Sequence, residues 1–356
     1  MDGVLSGAEA LDYLKQLLIS GSEKGRKMFL LADSNTSVFC LPVLDQMCSL
    51  SDFQVETILI EAGEKSKNLE SLAFIWSRLT KSDAGRDALL FCVGGGMVTD
   101  LGGFAASAYK RGIDVVHIPT SLLGMVDASI GGKTGIDFEY LKNHIGAFYW
   151  PLKVLIFPVF LKTLPERELL SGFGELLKYR CIAQHSSLNL SPEKKINEQI
   201  TPELIQACAA IKLEIVNKDP LEKSVRKWLN FGHTIGHAFE SYALQHNIEL
   251  YHGEAVAAGM LCELWLSARL AGLNMQYVSD YREIYFANFT PFVFPMAAAP
   301  DLLYRMGQDK KNRSGKLSFV LIENMAKPLS DVIVSEDWVI KSLGFYQDCV
   351  AQRNIN

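Results

Sequence analysis

"FCVGGGMVTDLGGFAASAY", residues 91–109, runs from an apolar stretch of strand character into three glycines and then into helical spacing. Such a junction brings bare backbone N–H groups to the positive end of a helix, an arrangement that suits a phosphate. It is not a full G-x-G-x-x-G fingerprint, because after Gly94 and Gly96 the third position holds Thr99. Glycines at strand ends serve tight turns as well as nucleotides, so the segment alone leaves both readings open.

Working outward, short apolar runs alternate with helical patterns. "KMFLLAD" (27–33), "VETILIEAG" (55–63), "ALLFCVGGG" (88–96) and "DVVHIPT" (114–120) read as strands, and "NLESLAFIWSRLTKS" (68–82) as a helix between them. That alternation predicts a parallel, helix-covered sheet. Beyond Pro165 long helical stretches take over, at 166–183, 201–218 and 253–272, with hardly a strand until "KLSFVLIE" (316–323). The expected fold class is α/β: a Rossmann-like parallel-sheet domain over 1–158, then a mainly α-helical domain over 159–356.

The chain has 356 residues, 49% hydrophobic and 21% charged, enough for a sizeable core and more than one domain. With 35 Lys+Arg against 40 Asp+Glu, net charge −5, it carries no electrostatic footprint for nucleic acid or an anionic membrane. Seven scattered cysteines without a CxxC pair fit reduced core residues of a cytoplasmic protein. The acidic, amphipathic start "MDGVLSGAEALDYLKQLL" and the lack of a long apolar run point away from secretion and membrane spanning.

"VDASIGGKTG" (126–135) contains Gly-Lys-Thr, but a P-loop needs glycine five residues before Gly132, where Asp127 stands. A flexible loop presenting Lys133 remains as the expectation. In "NFGHTIGHAFE" (230–240), His233, His237 and Glu240 share one helix face, while Thr234 fills the glutamate position of H-E-x-x-H. His252 opens the next helix, followed by a glycine that lets backbone approach closely, and "SGFGELLKY" (171–179) adds Glu175 and Lys178 one turn apart. Two imidazoles and one carboxylate bind a borderline divalent cation well. A histidine alone is commonly a core or surface residue, but here three lie within a short span, each bordered by a glycine. Lys110, Arg111, Lys133, Lys142, Lys178, Lys212, Arg226, Lys310 and Lys311 would serve a multiply anionic substrate, though scattered lysines are by default solubility groups.

Six ordered segments, "GGGMVTDLGGFAASAYKRG", "IPTSLLGMVDASIGGKTGID", "KNHIGAFYWP", "LKTLPERELLSGFGELLKY", "VRKWLNFGHTIGHAFE" and "HGEAVAAGM", together resemble the 3-dehydroquinate synthase family over about residues 60–320. The resemblance implies conversion of 3-deoxy-D-arabino-heptulosonate 7-phosphate to 3-dehydroquinate and phosphate, a shikimate-pathway step, with bound NAD and a divalent metal, zinc or cobalt. Glu175, His233 and His252 become metal ligands, and His237 turns to the substrate phosphate and its proton transfers. Gly95, Gly96, Val98, Thr99 and Asp100, with Thr120, Ser121, Asp127 and Thr163, become NAD-binding. "EAGEKSK" (61–67) adds Glu64 and Lys67 on the adenosine side. Lys133, Lys142 and Asn143 would line the junction of cofactor and substrate. Lys178, Lys212, Arg226 and Asn230 would take the substrate's carboxylate and hydroxyls. Arg111 is expected to reach phosphate across a homodimer interface, and Lys310 or Lys311 to close over the site. The implied chemistry has no net redox change, because NAD takes a hydride, phosphate leaves, and the same hydride returns before ring closure.

The sequence departs from the family pattern at Ser121, Met125 and Arg180, the last leaving the helix after Lys178 in question, and its N-terminal strands are short. Other sugar phosphate cyclases and metal-dependent alcohol or glycerol dehydrogenases of similar fold are the rivals. A non-catalytic NAD-binding protein would be expected to lack one of Glu175, His233 or His252.

Overall fold

The computed structural model describes residues 3–139, 141–308 and 317–353. Two compact units divide the chain, Met1–Pro165 with Lys212–Glu214, and Glu166–Ile211 with Ile215–Asn356. The first unit's main segment ends at Pro165, after the turn Pro158–Thr163.

The first unit is built on β1 (Val4–Ser6), β2 (Met28–Asp33), β3 (Val55–Ile60), β4 (Leu89–Gly94), β5 (Asp114–Pro119) and β8 (Lys153–Ile156), in the order β1-β8-β5-β4-β2-β3 and parallel throughout. β2 and β4 are buried at every position, as central strands covered on both faces must be. The helix Gly96–Ala108 lies flush on the sheet because Gly102 and Gly103 have no Cβ. One on Gly102 would overlap Cys92, and one on Gly103 would lie 2.5 Å from Thr134.

The segment expected to be a flexible loop is ordered instead: a π-helical turn over Gly124–Ala128, then β6 (Lys133–Phe138), paired antiparallel with β7 (Leu141–Phe148). Backbone pairing across "GKTGID" and "NHIGAF" supplies hydrogen bonds that a glycine-rich loop would leave to water.

The second unit is mainly helical, with one hairpin of β9 (Leu317–Asn324) and β10 (Lys327–Val334) among the described residues. The expected helices appear as Glu166–Ile182, Pro202–Lys218 and His252–Leu270. Arg180 does not interrupt the first, which runs unbroken to Ile182. Among the described residues no helix is long and apolar enough to cross a membrane.

Candidate active site

In the second unit, Glu175 projects from the middle of the Glu166–Ile182 helix, while His233 and His252 each stand first in their helices. Glu175 is fully buried, and neither carboxylate oxygen has a hydrogen-bond partner among the described residues. Its Oε1 lies 3.3 Å from His233 Nε2 and 3.4 Å from His252 Nε2, close enough for ion pairs but out of hydrogen-bond geometry. Ligand bonds of about 2.0–2.2 Å in a tetrahedral site put neighbouring donors about 3.3–3.6 Å apart. The three groups are therefore spaced to share a cation.

Outer contacts aim these donors. His233 Nδ1 lies 3.1 Å from the Phe231 carbonyl oxygen, which can only accept, so the proton sits on Nδ1 and Nε2 offers its lone pair. His252 Nδ1 donates to Glu240 Oε2 at 3.0 Å, which likewise turns Nε2 toward Glu175. Glu263 completes the His233 helix end, accepting from the Gly232 N–H at 2.7 Å, where Gly232 adopts φ 81°. The sequence reading gives neither Glu240 nor Glu263 a role. Glu240 signals itself only by sharing the histidine face, and Glu263 carries no local signal at all.

Electrostatics fit the same picture. Burial opposes charge on Glu175, but the Lys178 ammonium paired with it and the His233 ring hold the carboxyl well below its usual range. Burial pushes His233 down to about 4, so it is neutral. For His252 burial also opposes charge, but Glu240 and Glu175 outweigh it and lift the ring to about 10. That ring's proton is the one a cation would displace. His237 packs edge-on to His233 with centroids 5.3 Å apart and lies 6.0 Å from His252, outside the Glu175 set. It belongs to a second possible grouping with Glu240 and His252.

Of the other expected site residues of this unit, Lys178 and Arg226 are buried and Asn230 is half-buried. Arg226 donates from Nη1 to the Pro220 carbonyl at 2.6 Å. The Asn230 amide donates to Glu222 Oε1 at 2.8 Å, and Glu222 has a left-handed backbone, φ 58°. Lys310 and Lys311 lie outside the described residues.

In the first unit, Gly95 caps the Gly96–Ala108 helix without any side chain, and Gly95 and Gly96 stay partly exposed. Val98 and Thr99 are buried, Thr99 bonding back to the Gly96 carbonyl at 3.1 Å. Thr120 N–H donates to Gly94 O at 2.9 Å, and Ser121 Oγ accepts from Gly124 N–H at 3.1 Å. Lys67 is buried with its ammonium 2.6 Å from Asp100 Oδ2 and 2.5 Å from Asn143 Oδ1, and Glu64 Oε1 is 3.8 Å away. Asn143 sits at φ 50°, its N–H on Asp137 at 2.7 Å. Lys212 pairs with Asp127 at 3.0 Å. Lys133, Lys142 and Arg111 are exposed, and Thr163 Oγ1 bonds to the Phe160 carbonyl at 3.4 Å.

Residues 57–171 match the family model described as 3-dehydroquinate synthase N-terminal, and 172–312 match its C-terminal counterpart. The chain is 40% identical to the 3-dehydroquinate synthase of Parabacteroides distasonis, covering 96% of this chain and 95% of that one. It is 40% identical to the 3-dehydroquinate synthase of Xanthomonas oryzae pv. oryzae, over 90% of each. Among solved structures it shares its fold with 2-epi-5-epi-valiolone synthase from Streptomyces hygroscopicus, which holds NAD+ and Zn2+ (TM-score 0.84, 24% identity, 98% and 97% covered). It also shares it with 2-deoxy-scyllo-inosose synthase, complexed with carbaglucose-6-phosphate, NAD+ and Co2+ (TM-score 0.81, 22% identity, 96% and 95% covered). Both halves of the chain match the family's models in order, and near-full-length relatives agree with them, so the chain belongs to the 3-dehydroquinate synthase family.

Proposed function

We propose that the chain converts 3-deoxy-D-arabino-heptulosonate 7-phosphate to 3-dehydroquinate and phosphate, with NAD as a recycled cofactor and a divalent metal. Beyond family membership, the observation that carries the reading is the buried Glu175 carboxylate facing two imidazole nitrogens at tetrahedral donor spacing. Lys178 compensates one oxygen of the buried carboxylate, and the other faces only the two imidazole nitrogens, an arrangement that a structural core does not need.

Bound NAD and a bound cation, zinc or cobalt, would supply hydride exchange and polarisation of the carbinol oxygen. The chain's own groups do the rest. Glu175, His233 and His252 hold the cation, and Lys178 keeps the carboxylate ionised. His237, packed against both ligand rings, moves a proton as phosphate leaves. Lys178, Arg226 and Asn230 orient carboxylate and hydroxyls, fixing the geometry that the ring closure needs. Lys212 and Lys133 of the first unit carry positive charge suited to an anionic ligand, and Lys310 and Lys311, outside the described residues, add to the basic set.

In the first unit the bare helix end at Gly95 and Gly96 fits a pyrophosphate, since its N–H groups meet no capping side chain. Around it Val98, Thr99, Asp100, Thr120, Ser121 and Asp127 shape the cofactor site. Glu64, Lys142 and Thr163 extend it, and Lys67 braces Asp100 and Asn143. Seven buried, unbridged cysteines support a cytoplasmic setting.

Turnover is expected to require NAD yet leave it oxidised. Following NADH absorbance and phosphate release together with the heptulosonate phosphate checks this. Stoichiometric NADH accumulation would replace the reading with a dehydrogenase.

Assembly is proposed as a homodimer with Arg111 serving the neighbouring site. β7 has only β6 beside it among the described strands, and Leu141, Ile145 and Phe148 are 53%, 38% and 45% exposed along it. Exposed apolar side chains along a strand of this kind suit a two-fold interface. Sedimentation should give a dimer at micromolar concentration, and Ile145→Asp should weaken it. A fully active monomer would refute the assignment.

A further inference from the structure

His252 is the first residue of its helix, where the opening N–H groups lack intrahelical partners and the backbone frays unless something holds it. One arginine holds the chain on both sides of it. Arg167 donates from Nη1 to Glu249 Oε2 at 2.6 Å and from Nη2 to the Glu249 carbonyl at 2.8 Å, upstream of the histidine. Downstream, its Nε and Nη2 fork onto the two oxygens of Glu254 at 2.8 and 3.0 Å. The guanidinium also lies 4.4 Å from the Tyr251 ring centroid. Glu254 Oε2 in turn accepts from the Tyr251 N–H at 2.9 Å, capping the helix next to His252. A bidentate arginine–carboxylate pair fixes direction as well as distance, which a lysine cannot do.

Arg167 stands on the same helix as Glu175. One rigid element therefore carries both the carboxylate of the cation site and the clamp on the helix end that presents His252. Arg167 is 39% exposed and Glu249 71% exposed, so the pair between them contributes little to folding stability, whereas Glu254 is only 12% exposed. Their leverage is geometric.

We infer that Arg167 is a positioning residue for His252: by spanning Glu249 and Glu254 it fixes the imidazole at the spacing from Glu175 that a divalent cation requires. The inference rests on the cation reading given above, and the test separates the two. Metal-free protein is titrated with Co2+ against a competing chelator while the visible d–d bands report ligand geometry. Arg167→Gln is expected to weaken Co2+ binding about tenfold or more and to change the band pattern, with Glu254→Gln doing the same. Arg167→Lys should recover little of the loss. Arg78→Gln, which breaks a single-contact ion pair with Glu56 in the first unit, should bind within about twofold of the parent chain. Parental affinity and spectrum in both Arg167→Gln and Glu254→Gln overturn the inference alone, as does equal weakening in Arg78→Gln. Failure of the unmodified chain to take up Co2+ overturns the cation reading and this inference with it.

Discussion

His233→Ala is expected to purify nearly free of metal and inactive, whereas His237→Ala keeps close to one metal per chain and loses activity. Helix periodicity makes the two residues look equivalent, since four positions apart they share a face. The geometry separates them. His233 Nε2 is 3.3 Å from Glu175 Oε1, and its other nitrogen is committed to the Phe231 carbonyl. Among the described residues His237 falls instead in the grouping with Glu240 and His252. There Glu240 Oε2 already accepts from His252 Nδ1 at 3.0 Å, which leaves that grouping short of a donor. Losing one of three protein ligands removes most of the affinity of such a site. Losing a proton-transfer group leaves the ligands in place and slows chemistry by about 10²–10⁴-fold. Metal analysis of the two purified variants decides the matter, and equal loss in both would show that the histidine pair itself is the ligand set.

Much of this architecture is legible in the amino-acid sequence. The four apolar runs of the first half form β2 to β5 within a few residues, because the buried parallel strands β2, β4 and β5 carry nearly continuous hydrophobic sequence and the half-exposed edge strand β3 keeps enough of it to be read. β1, three residues inside an amphipathic stretch, and the β6–β7 hairpin are not legible. β7 is almost wholly exposed, so burial imposes no alternation on it to be read. In the site, residue type and helical spacing bring Glu175, the two histidines of the 230–240 segment and His252 forward as one chemistry. Which histidine faces Glu175 is a tertiary fact, and the sequence speaks with two voices on it: periodicity pairs His233 with His237, while family resemblance pairs His233 with His252, as the spacing supports. Glu263 capping the His233 helix from a neighbouring one, and Arg167 gripping the approach to His252, depend on chain crossings that no local pattern encodes.

Gly253→Ala is expected to lower stability by about 3 kcal/mol or more and to abolish metal uptake, although it adds a single methyl group and removes no ligand. Each histidine of the site is bordered by a glycine, and the structure gives the reason. A Cβ on Gly253 would overlap the Ser171 carbonyl, one on Gly174 would overlap the Gly253 carbonyl, and one on Gly259 would overlap the Gly232 carbonyl. The helices carrying Glu175, His233 and His252 thus meet backbone to backbone, and the Gly253 N–H donates to Ser171 Oγ at 3.1 Å across one of these contacts. Backbone cannot swing aside as a side chain can, so the methyl must push the His252 helix away from the one bearing Glu175. The donor spacing of 3.4 Å is then lost together with the packing. Gly344 provides the contrast: it lies in the Glu336–Arg353 helix, and a Cβ there would meet nothing within 4 Å, so Gly344→Ala should stabilise by up to about 1 kcal/mol through helix propensity alone. With an unfolding entropy of about 0.75 kcal/mol/K for a chain of 356 residues, the first change lowers the melting temperature by about 4 °C or more and the second raises it by up to about 1 °C. Thermal melts of the metal-free variants with parallel metal analysis check both signs, and a Gly253→Ala chain that melts with the parent and keeps its metal would mean that these helices are not in backbone contact.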